Sequence, residues 1–217
     1  MYNLGDVLPG VEVEPGTNLL MAGPPMTGKR SLALQILAEG NDDGEGSIIV
    51  TTKDSGDKIL GDFHEYAADV DSAPVGVVDC VTKQQGMRNA QASEHVAYAS
   101  SPEDMTGIGI KLSEFLQHFY QDLGVQRNRI LLYSLSTLLM YSNLQTVFRF
   151  LHVFTGRIQS ADALGVFVID STAHDEQTMS TLKQLFDGEI QIREGDDYDT
   201  EIRVTGLPGV SNDWRAI

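Results

Sequence analysis

The sequence predicts an α/β fold: a mainly parallel sheet with helices on both faces and an antiparallel hairpin near its C-terminal end. Three observations carry this expectation. Apolar, β-branched runs alternate with segments whose apolar residues recur at helical spacing. A glycine-bounded loop, Gly23 to Gly28, joins one such run to one such helix. The tail alternates residue by residue, with Ile190 and Ile192 against Gln191 and Arg193, then Ile202 and Val204 against Glu201 and Arg203. At 217 residues the chain is long enough for one well-buried domain and short for two. Residues 1–217 are therefore expected to form a single domain.

Taken in order, residues 1–16 are a lead-in with turns at Pro9-Gly10 and Pro15-Gly16. They deliver the chain to a first strand, Asn18 to Ala22, and the helix-like run Leu32 to Ala38 follows the loop. Ser47 to Thr52 is a β-branched run without period, as suits a strand buried on both faces of a parallel sheet. Ile59, Phe63, Tyr66, Ala67 and Val70 space the next helix, and Val75 to Val81 is the next strand. Residues 82–100 are polar and aperiodic and are expected to be a surface excursion. Ser101 as N-cap, Pro102 at the first position, and Glu103 and Asp104 in the first turn then open a helix. Met105, Ile108, Leu112, Phe115, Leu116, Phe119 and Leu123 give it one apolar face, despite Gly107 and Gly109. Arg129 to Ser134 is a strand, and Leu144 to Ile158 is a long amphipathic helix on which His152 is a packed or surface residue. Gly165 to Asp170 is a strand, and Met179, Leu182, Leu185 and Phe186 mark a short helix before the hairpin.

Composition narrows the function classes. No apolar run is long enough to span a bilayer, and Met1 to Asp6 lacks a signal-peptide layout, which implies a cytoplasmic protein with no membrane partner. The single cysteine, Cys80, excludes an internal disulfide and sits in an apolar run as a small core residue. With 15 Lys and Arg against 31 Asp and Glu, the net charge is −16. Such a surface repels nucleic acid, whose binding rests on cations neutralising phosphates. It suits a cytoplasm at very high salt, where repulsion between carboxylates is screened. A halophilic source is therefore expected, with an ordinarily acidic protein as the alternative.

The loop carries the chemistry. Gly23-Pro24-Pro25-Met26-Thr27-Gly28-Lys29-Arg30-Ser31 lies between a strand and a helix, the arrangement in which backbone N–H groups and a helix N-terminus cradle a phosphate. Lys29 would reach the outer phosphates as a point charge. The pattern G-x-x-x-x-G-K-[ST] holds through the lysine and fails after it, because Arg30 stands where a hydroxyl would hold Mg²⁺. Ser31 comes one residue late, about 100° around the helix. An ordinary Gly-Pro turn before a core helix would leave Lys29 unexplained.

From Gly23 through the hairpin the chain resembles the RecA superfamily, and within it the archaeal KaiC-like and RadA-like ATPases. The resemblance rests on GPPMTGKRSLALQIL, IIVTTKDSGDKIL, SPEDMTGIGI, RILLYSLSTLL and FDGEIQIRE, in that order. It implies a RecA-like P-loop NTPase core that binds ATP or ADP through Gly23 to Ser31 and, in the family's active members, Mg²⁺. The departures concern hydrolysis. Tyr133 stands at the family's Walker B aspartate, and Lys53 and Asp54 at the acidic pair that activates water. Val204-Thr205-Gly206-Leu207 replaces the Lys-x-Arg-Gly segment that reaches a neighbour's nucleotide. Asp170, followed by Ser171, Thr172 and His174, could hold a metal through water or could only cap the next helix. His174 could sense a γ-phosphate.

Together these imply a nucleotide-binding regulatory or scaffold protein with weak or absent hydrolysis and no assigned protein metal ligands. It would act on an unknown protein partner or through homo-oligomers. The rival readings are an active Mg²⁺-dependent ATPase using Asp54, Asp170 or a neighbour's residue, a DNA recombination or repair accessory protein, and a pseudo-enzyme in which Arg30 fills the site.

Overall fold

The computed structural model describes residues 1–67, 73–86, 92–195 and 199–217. Val70 of the second helix pattern, residues 87–91 of the polar stretch and Asp196-Asp197 of the hairpin turn lie outside the described residues. In chain order the elements begin with β1 (Tyr2–Asn3), β2 (Glu12–Val13), β3 (Asn18–Gly23), α1 (Lys29–Ala38), β4 (Gly46–Thr51) and α2 (Gly56–His64). Then come β5 (Val75–Asp79), β6 (Val96–Tyr98), α3 (Met105–Gln121), β7 (Asn128–Tyr133), α4 (Leu135–Tyr141) and α5 (Leu144–Ser160). The chain ends with β8 (Leu164–Asp170), α6 (Glu176–Lys183), β9 (Gly188–Glu194), β10 (Thr200–Thr205) and β11 (Arg215–Ala216).

Among the described residues one nine-stranded sheet has the order β11-β10-β9-β3-β8-β7-β4-β5-β6. Every pair from β9 to β6 is parallel, and β10 and β11 add antiparallel strands at one edge. The predicted hairpin forms, with Ile202 opposite Ile192 and Val204 opposite Ile190 and all four side chains buried. Successive residues of the central strands point to opposite cores. Leu19, Met21, Ile49 and Leu131 join the core under α1, α2 and the N-terminal residues, whereas Leu20, Ile48, Val50 and Leu132 join the core under α3 to α6. Both faces being covered explains the unbroken apolar runs.

Several segments depart from the sequence expectation, among them the helix Leu135–Tyr141 and the strand Arg215–Ala216, which the sequence pattern does not predict. Residues 82–100 are not wholly an excursion: Val96–Tyr98 forms the sheet's edge strand, parallel to β5. Only Val96 of the three is fully buried, so the strand is too short and too wet to leave an apolar run. The helix over 105–121 is capped by Asp104, not Ser101: the Asp104 carboxylate accepts from the Gly107 N–H at 2.8 Å and from the Ser100 hydroxyl at 2.5 Å. The lead-in also contributes structure, as β1 and β2 pair and bury Tyr2, Leu4 and Leu8. Cys80 is buried as expected, and burial pushes its thiol well above the usual range.

Helix α1, which presents the loop, is pinned at its far end. Arg129 at the start of β7 is fully buried and donates to Glu45 Oε2 at 2.6 Å, to the carbonyl of Ile36 at 2.6 Å and to that of Asn3 at 2.9 Å. A cation on a late carbonyl of α1 also complements the helix dipole. Gly40 is required beside it, since a Cβ there would lie 2.5 Å from Glu45 Oε2 and 2.6 Å from Arg129 Nε.

Candidate functional site

The carboxyl ends of β3, β8, β7 and β4 share one edge of the sheet, with Gly23 opposite Asp170, Tyr133 opposite Val168 and Thr51 opposite Tyr133. In open α/β sheets ligands bind at that edge. Five residues separate the end of β3 from Lys29, the first residue of α1. Gly23 is forced by space, since a Cβ would come within 2.6 Å of the Ile192 carbonyl. Gly28 takes φ +77° at the helix N-cap and so supplies no capping side chain. The first-turn N–H groups of α1 are therefore left for a ligand or solvent. The Thr27 hydroxyl closes the loop on the Pro24 carbonyl at 2.9 Å, and Met26 stands fully exposed at its tip.

The cations of the loop are drawn onto carboxylates. Buried Lys29 places Nζ 2.9 Å from Asp170 Oδ1 and also donates to the Pro24 carbonyl. Arg30 pairs with Asp54, Nε to Oδ2 3.4 Å, and with Asp62 on α2. Asp54 is shared with Lys58, whose Nζ is 2.7 Å from Oδ1. A cleft of about 290 Å³ is lined by Pro25, Met26, Gly28, Lys29, Arg30, Lys53, Tyr133 and Asp170. It thus collects most of the predicted site residues but not Asp54, which faces Lys58 and Arg30. Thr27 and Ser31 line a second cleft, on the other side of Gly28.

At the end of β7 the Tyr133 ring lies between two cations, 6.0 Å from Arg30 Cζ and 5.8 Å from Lys53 Nζ. The two positions at which the resemblance puts metal-holding groups carry a guanidinium and a phenol, which do not form the oxygen set a hard cation needs. Among the described residues no three His, Cys, Asp or Glu side chains converge to hold a metal ion. The residues present fit a phosphate group better than they fit Mg²⁺.

Asp170 makes no cap hydrogen bond to the turn that follows it, and Asp175 caps α6 instead. The capping alternative for Asp170 therefore gives way to the ion pair with Lys29. The Asp170 N–H donates to the Ser136 hydroxyl at 2.9 Å, and His174 Nε2 lies 2.9 Å from the same oxygen. Burial holds the His174 pKa below its usual value, against the opposing pull of Asp170 and Asp175. His174 lines neither cleft and touches Ser136 rather than the loop. Ser136 was not singled out in sequence, because a serine one step into an apolar helix carries no signal of its own.

Fold and loop together define a mostly parallel α/β protein with a glycine-bounded strand–loop–helix element at the carboxyl edge of its sheet. The chain belongs to the family of unknown function DUF7504, whose model matches residues 16–192. No curated protein matches the sequence. In structure it is similar to an uncharacterized protein, PH0321 from Pyrococcus horikoshii, solved in complex with an unknown peptide. The TM-score is 0.69 at 14% identity, over 96% of this chain and 94% of that one. In all, 448 solved chains match, so the fold alone specifies no activity.

Proposed function

We propose that this protein is a RecA-like nucleotide-binding regulatory or scaffold protein that binds ATP or ADP and hydrolyses it weakly or not at all. The observation that carries the reading is the Lys29 cradle: an uncapped helix N-terminus, Gly28 in the left-handed region and a buried lysine beside the cleft. The strand order supports the RecA-like assignment, since β8 separates the loop strand β3 from β7, where the resemblance puts Walker B. Arg30 and Tyr133 in the metal-holding places, and Asp54 engaged by Lys58 and Arg30, support loss of hydrolysis. Phosphoryl transfer in this class relies on a held metal and a positioned water, and neither has its usual ligand here.

The chain's own residues would do the following. Loop N–H groups and Lys29 orient the phosphates, with Lys29 exchanging Asp170 for a phosphate oxygen. Arg30 supplies charge that a metal otherwise supplies, and Tyr133 excludes water beside it. An active ATPase is the second reading, favoured by one feature: Asp170 faces the cleft. The net charge of −16 disfavours a DNA accessory role, and it suits a halophilic cytoplasm. A calorimetric titration with ATP, with and without Mg²⁺, paired with a phosphate-release assay, tests the reading. Lys29→Ala should weaken binding at least about tenfold, ~1.4 kcal/mol, by removing a charge-assisted contact. Equal affinities for wild type and variant would remove the phosphate-loop assignment. Mg²⁺-enhanced turnover abolished by Lys29→Ala would establish the active ATPase instead.

A further inference from the structure

The second cleft, about 550 Å³, begins at Thr27, Gly28 and Ser31 and runs along α1 past Leu32 and Gln35. Its far wall is the chain's own C-terminal strand, with Arg215 and Ile217. The two clefts meet at Gly28, which lines both. A ligand with its terminal phosphate at Lys29 could extend across Gly28 into the second cleft. The volume exceeds what a phosphate needs. The walls are mixed: Val7, Pro9 and Leu32 offer apolar surface, while Gln35 and Thr200 offer polar groups.

Arg215 gives this cleft a specific donor. Its Nη2 is buried yet has no hydrogen-bond acceptor, and no salt-bridge partner is found for it among the described residues, although carboxylates outnumber cations two to one. A guanidinium that lines a cleft without an ion-pair partner can donate to the acceptor of a bound ligand. Arg215 is held in place by the pairing of β11 with β10, Ile202 opposite Arg215, and by the Ile217 N–H donating to the Thr200 carbonyl at 2.9 Å.

We infer that the second cleft is a nucleoside subsite closed in cis by the C-terminal strand, with Arg215 donating to the sugar end of the ligand. The inference rests on the phosphate reading of the loop. It makes the C-terminal strand part of the binding site, on the side opposite Asp170. It also makes the discrimination between a nucleotide and a bare polyphosphate depend on Arg215, whereas Lys29 serves both ligands.

The test compares two probes, ATP and inorganic tripolyphosphate, titrated calorimetrically into the full chain. Wild type should bind ATP at least tenfold more tightly than tripolyphosphate. Arg215→Gln should remove most of that difference while leaving tripolyphosphate within twofold. Gln35→Trp, which fills the cleft from the α1 side, should do the same by a different route and guards against a fold defect specific to the first variant. Melting temperatures of both variants confirm folding, and Lys29→Ala should weaken both probes. If both probes bind through Lys29 with equal affinity, or if Arg215→Gln weakens both alike, the nucleoside subsite is wrong and the phosphate reading survives. If neither probe binds, the phosphate reading fails and takes this inference with it.

Discussion

Asp170→Asn separates the two readings of the site by the sign of its effect. In the free protein Lys29 is buried against Asp170 at 2.9 Å, and Asp170 keeps a quarter of its side-chain exposure. A bound phosphate must take Lys29 from that carboxylate, so the ion pair opposes binding. Two unit charges about 4 Å apart attract by about 1 kcal/mol in water and about 4 kcal/mol at an effective dielectric of about 20. Partial exposure places this pair in the lower part of that range, about 1.4–2 kcal/mol, or about ten- to thirtyfold in affinity. Asp170→Asn should therefore tighten ATP binding by about that factor, measured by calorimetry in EDTA.

The same energy must reappear as lost stability of the free protein. A loss of about 1.4–2 kcal/mol lowers the melting temperature of a chain this size by roughly 3–8 °C, and added ATP should recover it. If the variant instead binds ATP more weakly, and the Mg²⁺ dependence of binding disappears with it, Asp170 holds a metal and the site is catalytic. Unchanged affinity would mean that Lys29 is not withheld by Asp170, and the exchange described above would be wrong.

Raising KCl into the molar range should raise the melting temperature, because carboxylate repulsion is screened; a flat or falling curve contradicts the high-salt reading of the −16 charge. His174 should make folding sensitive to mild acid. Its folded pKa lies below the usual 6.5, so the unfolded chain binds more protons, and its contribution is present above pH 6.5 and lost as pH falls through the folded value. Burial also lowers His64, so the readout is the difference between wild-type and His174→Gln denaturation curves from pH 7 to 5, which should grow toward acid. The double change Arg30→Thr with Tyr133→Asp should make ATP affinity more Mg²⁺-dependent, and either change alone should do little. Hydrolysis should stay slow until Lys53→Glu is added, and buried Tyr133 requires a folding check first because an uncompensated carboxylate there costs several kcal/mol.

The parts of the fold that sequence reveals are those fixed by local rules. β3, the loop and α1 announce themselves because Gly23 and Gly28 meet backbone demands and Leu32 to Ala38 are buried at every position but Gln35. Ile190, Ile192, Ile202 and Val204 alternate because one face of their hairpin is wet. What stays hidden depends on partners remote in sequence. Val96–Tyr98 is a strand because β5 supplies an edge. Asp104 outcompetes Ser101 as a cap because Ser100 and Gly107 both donate to it. The pairing of Arg30 with Asp62 joins α1 to α2, and the pairing of Lys29 with Asp170 joins α1 to the end of β8. Sequence named Lys29, Arg30, Asp54 and Asp170 without saying which would hold which. The Arg215 cleft had no motif at all, since it is assembled from both ends of the chain.

Those pairings bear on how such a site would work. Lys29, Arg30 and Lys58 face Asp170, Asp54 and Asp62, so three cations meet three carboxylates before any ligand arrives. Among the described residues lining the cleft, Lys53, over the Tyr133 ring, is the cation without a carboxylate partner. In a metal-dependent site the ligand brings its own counter-charge as Mg²⁺, and the protein's carboxylates receive that ion. Here the counter-charge is built into the chain, and on the proposed reading a phosphate would bind by exchange, releasing Asp170 and the Arg30 partners. Carboxylates released on α2 and β8 would then carry the negative charge outward, to surfaces that a partner protein could read. On the proposed reading, binding would be a rearrangement of ion pairs between α1, α2 and β8, with no chemical step required of the nucleotide. A regulatory protein needs that property, and a hydrolase that must hold a metal and a water in fixed positions is poorly served by it.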